Sequence, residues 1–372
     1  MMSARPFAAS IALALAVPLG ACSLVQADPV AEAQAALDAQ DYPAARDHAM
    51  TALQSDAGSA EALALLARAQ LAMGQGGDAL ATLERLDRAG SRPADMPLLR
   101  AEALLQAGDS SGALAALAGE DGAESWRLRA LAHAQAGDDD AARSAFLRGR
   151  GADGDKRKLF TAAATFHLDR GDADAARYAV GQVQRLAPQA IETYFVSARL
   201  AEMEGRPDLA SRAYLAILDL APNDRPAMLG AIRELDALGR VDLLRDLIAR
   251  GRSAYPLDVE FLYYEASLHA LEGEWTAVRD LMQQHENLIA EHEDARGLYG
   301  QALLELGQIE QARALLAPLN RRYPGNAAYA RLLARILLES GDRAGARAAM
   351  RPIIASGNAG DEDRALAARA AV

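Results

Sequence analysis

One cysteine stands among 372 residues, and lysine occurs only at Lys156 and Lys158. A lone thiol excludes an internal disulfide, so the fold must hold without covalent staples. Arginine supplies every other basic group. That bias reads as coding composition and is no evidence of carboxylate or phosphate recognition. Acidic groups outnumber basic ones 51 to 39, for a net charge of −12. Nucleic acid and anionic lipid surfaces both need cationic patches, so this balance argues against either as a partner. Glycine- or serine-rich linkers, long charge blocks and apolar runs long enough to span a bilayer of about 30 Å are missing as well. So are a phosphate-cradling glycine loop and any arrangement of serine, histidine and acid that would suggest a nucleophile.

What is present begins with a leader. Arg5 supplies a positive start, and Phe7 to Val17 is an apolar run of eleven residues, right for a signal peptide and too short to cross a membrane. Leu19-Gly20-Ala21-Cys22 follows and resembles the lipobox of bacterial lipoproteins. The resemblance implies cleavage of residues 1–21, a lipid on the Cys22 thiol, and a mature chain of net charge −13. Ser23, where that family's inner-membrane signal would be aspartate, implies the outer membrane. Residues 22–29 would be a short tether, reaching on the order of 25 Å when extended. A second cut fits too. Val25-Gln26-Ala27 reads as an ordinary secretion site, and cleavage after Ala27 would release a soluble periplasmic protein.

The body of the chain repeats. "AQAGDDDAARSAF", "LDRGDADAARYAV" and "LESGDRAGARAAM" echo one another. Taking the residue five after each glycine as an anchor gives Ala45, Ala79, Ala113, Ala142, Ala176, Ala210, Leu244, Val278, Ala312 and Ala346. Eight of the nine intervals are 34 residues and one is 29. Glycine precedes nine of the ten anchors, with Gln40 the exception, and proline stands twelve after at Pro188, Pro222, Pro256 and Pro324. A period of this size, held over some 300 residues, marks a repeat architecture.

The pattern resembles the tetratricopeptide repeat family, over about residues 30–357. The resemblance implies an all-α fold, a right-handed superhelix of about ten helix-turn-helix repeats. The glycine would end each first helix, the small anchor would bring the second helix close, and the proline would end it. Phe146, Tyr214 and Leu316, four after their anchors, would fill the contact with the next unit. Trp126, Phe160 and Tyr194, sixteen before theirs, match the family's first-helix aromatic. Repeats one to three would occupy 30–118, an irregular stretch with repeat four 119–158, and repeats five to ten 159–357. Residues 358–372 would form a capping helix. The 29-residue interval implies that most of one second helix is deleted.

Chemistry is scarce. His133, His167 and His269 fall nine before their anchors, a packing position in the family, and read as core. His285 and His292 lie seven apart among Glu286, Glu291 and Glu293, which reads as one solvated helix face rather than a metal site. With the repeats filling the chain, no catalytic domain, cofactor, metal or small-molecule substrate is expected. An enzyme of the helical-superhelix transglycosylase type would need a further catalytic domain.

Binding is the expectation that remains. In the resembling family the first helices line a groove that holds segments of partner proteins. Phe195, Leu229 and Tyr263 would form one row along it, with Arg199, Arg233 and Ser267 a turn later. Aromatic burial and guanidinium forks would suit a peptide, although the same residues could pack between helices and solvate the groove. The reading is a non-catalytic scaffold lipoprotein of the envelope, holding protein partners for assembly or export machinery.

Overall fold

The computed structural model describes residues 28–371. The leader 1–21, Cys22 and the cleavage site at Ala27 lie outside the described residues. Contacts divide the chain into two compact units, up to Leu159 and from Phe160 onward. Among the described residues are twenty-two helices and no strand, an all-α stack of helix pairs in each unit.

The amino-terminal unit pairs α1 (Pro29–Asp38) with α2 (Tyr42–Ser55), α3 (Ala60–Ala72) with α4 (Gly76–Arg88), α5 (Met96–Gln106) with α6 (Ser110–Ala116), and α7 (Ala123–Gln135) with α8 (Asp139–Gly151). The division falls within α9 (Arg157–Asp169). The carboxy-terminal unit continues with α10 (Ala173–Leu186), then α11 (Ile191–Met203) and α12 (Pro207–Leu220), α13 (Arg225–Ala237) and α14 (Val241–Ala254). Next come α15 (Val259–Leu271), α16 (Trp275–Gln284), the short α17 (Glu286–Ile289), α18 (Glu293–Glu305) and α19 (Ile309–Arg322). It closes with α20 (Ala327–Glu339), α21 (Arg343–Ala355) and α22 (Asp361–Ala371), which packs on the two before it.

Every first helix ends in the same way. The residue five before the anchor takes φ between +59° and +85°, where glycine meets no Cβ penalty. Its N–H and the next one turn back onto the helix, as Gly205 donates to Glu202 O at 3.0 Å and Arg206 to Ala201 O at 2.9 Å. Gln40 makes the same two bonds without glycine's freedom, at φ 59°. Gln40→Gly is therefore expected to stabilise the amino-terminal unit by up to about 1 kcal/mol, read from its thermal unfolding. An unchanged or lower midpoint would show that the glutamine is not strained there.

An aspartate often follows the turn residue, and it caps the second helix. Asp41, Asp138, Asp172 and Asp342 each accept from the N–H three residues on, at 2.7–3.3 Å. Such caps are worth about 1 kcal/mol apiece. All ten anchors are buried, as the spacing required. Phe146, Tyr214 and Leu316 are buried four residues on.

The interval of 29 residues corrects one expectation. The second helix of repeat three is shortened, not mostly lost: α6 keeps seven residues, its anchor Ala113, and Leu117 fully buried just beyond it. The loop that follows is tied down. Ser125 Oγ donates to the carbonyls of Glu120 and Gly122 at 2.9 Å, and Arg129 donates to Leu117 O at 2.6 Å. Ala123 N–H donates to Asp153 O at 2.8 Å, which joins this loop to the one after α8. The Arg129 and Arg148 guanidiniums lie 4.5 and 5.3 Å from the Trp126 ring.

Candidate functional site

Helices α11, α13 and α15 are successive first helices of the carboxy-terminal unit, and they carry all six residues singled out from the sequence. Equivalent positions bring Phe195, Leu229 and Tyr263 into one row, each half-buried. Phe195 packs edge-on against Tyr214, with ring centroids 6.2 Å apart. Tyr263 lies 5.7 Å from the Tyr264 ring and 5.5 Å from that of His292. Ser267 Oγ donates to its own helix at Tyr263 O, at 2.8 Å.

The two arginines are engaged within the protein. Arg199 meets Asp169 of α9 at 2.6 Å. Arg233 reaches back to Glu202 of α11 at 2.5 Å and meets its neighbour Glu234 at 3.3 Å. Glu202 also accepts from the Tyr214 hydroxyl at 2.7 Å. Burial first, and that carboxylate second, push the Tyr214 phenol well above its usual range. These forks brace neighbouring repeats, and their carboxylates come from this chain. Other braces follow the same logic: Arg177 meets Glu204 at 2.8 Å, Arg335 meets Glu305 at 2.9 Å, and Arg245 and Arg225 hold Glu272 and Asp258.

The histidines divide. His167 is buried, as its register implied, and its Nδ1 lies 3.2 Å from Asp172. His133 is half-buried. The His269 side chain is about a third exposed, with Nδ1 2.7 Å from Glu274. Ligand atoms of His269, Glu272 and Glu274 fall within 4.8 Å of one another. Each is accounted for by the turn it braces, since Glu272 holds Arg245 and His269 holds Glu274. The expectation of a single helix face for His285 and His292 is corrected. His285 sits where α16 gives way to α17, and His292 caps α18, its Nδ1 accepting from Ala295 N–H at 3.1 Å. Its Nε2 lies 3.4 Å from Glu260.

Tyr263 and Ser267 also border a cavity that the sequence did not reveal. It encloses about 200 Å³ between α13, α14 and α15. Ile232, Leu244, Ile248 and Leu268 supply apolar walls, and Asp236, Tyr263 and Ser267 are among the remaining lining residues. The periodic signal places Tyr263 and Ser267 at equivalent positions but carries no information about whether side chains fill the space beside them.

The model of the tetratricopeptide repeat family matches residues 36–95 and 270–336. Both stretches are tetratricopeptide repeats. Such repeats suggest a protein–protein interaction scaffold, and the tetratricopeptide fold is typically non-catalytic. No curated protein matches the chain. Among solved structures, a chain of the APC/C hetero-tetramer Cut9–Hcn1 is similar at a TM-score of 0.50 and 13% identity, covering 91% of this chain and 95% of that one. Yeast Tom70 is similar at 0.42 and 12%, covering 93% and 88%. At these identities the Cut9–Hcn1 likeness shows the tetratricopeptide fold alone.

Proposed function

We propose that this protein is a non-catalytic scaffold of the bacterial cell envelope. A lipid on Cys22 anchors it to the outer membrane, and α11, α13 and α15 hold segments of protein partners for assembly or export machinery. The supporting observation is the half-buried row Phe195, Leu229 and Tyr263 on three successive first helices, with an apolar-walled cavity beside Tyr263 at one end of it. Unfilled apolar space beside aromatic rings is where interface hot spots form. The soluble alternative, with cleavage after Ala27, keeps the same binding face and differs only in anchoring.

A photoreactive residue at position 263, introduced in cells, tests the face. One envelope protein crosslinked there is the expected result, and its absence in a well-folded variant would move binding elsewhere. Cys22→Ala tests the anchor: the protein should shift from the membrane to the soluble fraction. Unchanged partition would sink the lipid claim and leave the binding claim standing.

A further inference from the structure

The cavity beside Tyr263 is small and one-sided in charge. Its volume of about 200 Å³ falls below the roughly 300–1,000 Å³ of typical small-molecule sites, yet it accommodates a single leucine- or methionine-sized side chain. Beyond the walls already named it is lined by Tyr264 and by Leu271, which is 69% exposed at the mouth.

The charges around this mouth do not balance. Asp236 is exposed, lines the cavity, and makes no side-chain hydrogen bond or ion pair among the described residues. Burial first, then the carboxylates of Asp294, Asp236 and Glu260, raise the Tyr263 phenol above its ordinary value. Burial, Glu260 and Asp236 do the same to Tyr264, while Arg233 opposes them. Glu260 has His292 at 3.4 Å, and among the described residues the Asp294 side chain accepts from the Tyr329 hydroxyl at 3.1 Å and meets no cation. Arg233 is already shared between Glu202 and Glu234. The surroundings are therefore net negative, within a chain that is itself acidic.

Resting on the scaffold reading above, we infer that the cavity receives one apolar side chain of a partner protein segment in which a neighbouring residue is lysine or arginine. The apolar walls favour the side chain by removing it from water. Asp236 at the rim, with no partner of its own, favours the cation and steers its approach. The expected ligand is thus basic, opposite to the acidic segment that Arg199 and Arg233 would have selected had they been free.

Selection of a random short-peptide library on the purified exported chain tests this, followed by affinity measurements with the best peptides. Enrichment of Leu, Met or Phe within two positions of Lys or Arg is expected. Asp236→Lys should weaken those peptides on the order of tenfold and flatten their salt dependence. Ser267→Trp, which fills the mouth, should abolish binding; if it lowers the melting midpoint, Leu271→Lys, which removes an apolar wall at the exposed rim and repels the cation, reads the same loss. Peptides with acidic or uncharged neighbours, affinity indifferent to Asp236→Lys, or failure to enrich any peptide would overturn the inference. The scaffold reading has its own arm: a partner captured at position 263 through an acidic or wholly apolar segment overturns this inference alone.

Discussion

Gly251→Ala is expected to destabilise the carboxy-terminal unit by about 1–3 kcal/mol, the usual cost of overpacking a close-packed site. A Cβ at this position would lie 2.3 Å from two carbons of the Phe261 ring. That ring has nowhere to go. Phe261 is fully buried and stacks on Tyr255 at 5.8 Å, with 8° between planes. One repeat earlier the same two positions are Ile217 and Ala227, so the large and small partners have exchanged sides. The glycine is therefore a packing residue and not a flexible joint. Phe261→Leu makes room, so the double variant should be less destabilised than the sum of the singles. Urea unfolding of the four proteins measures that coupling, and strict additivity would show that the two side chains do not compete for space.

Reversing Arg233 to glutamate is expected to lower stability by about 1–2 kcal/mol, a figure discounted for the exposure of the guanidinium. The change removes the cation from Glu202 and from the nearly buried Glu234, and sets a third carboxylate beside them. From the sequence alone, glutamates at 199 and 233 would be expected to weaken partner capture and leave the helices intact. The structure changes that expectation. Because both arginines brace neighbouring helices, lost binding in that variant would report a loosened stack as readily as a lost contact. Thermal unfolding separates the two: a midpoint unchanged in Arg233→Glu would mean that the braces contribute nothing, and the arginine would again be available to a ligand.

Much of the fold was legible because a repeating sequence states each requirement ten times. The turn residue five before the anchor and the buried anchor itself are local demands of backbone conformation and helix approach, and both appear at every expected position. The exception at Gln40 is instructive, since it adopts the glycine conformation anyway. What escaped the sequence reading depends on neighbours not fixed by the period. The acids that hold Arg199 and Arg233 sit 30 and 31 residues back, on another helix. His292 looked like part of a continuous helix because nothing near "QQHENLIAEHED" announces the break at His285. The cavity beside Tyr263 is an absence of side-chain volume, and a pattern of residue types does not encode an absence.

The shortened α6 has a consequence for how such a chain can change over time. Five residues are missing from that interval, yet the register on either side resumes, and the loss is absorbed within one second helix and a tied loop. The braces described for the carboxy-terminal unit reach no further than the adjoining repeat, so no distant partner holds a copy of the extra length or must be altered with it. Duplication or excision of a whole repeat would leave the same kinds of junction that already exist. Length in this architecture is thus nearly free to drift, and selection can act on a few first helices while the others lengthen, shorten or decay.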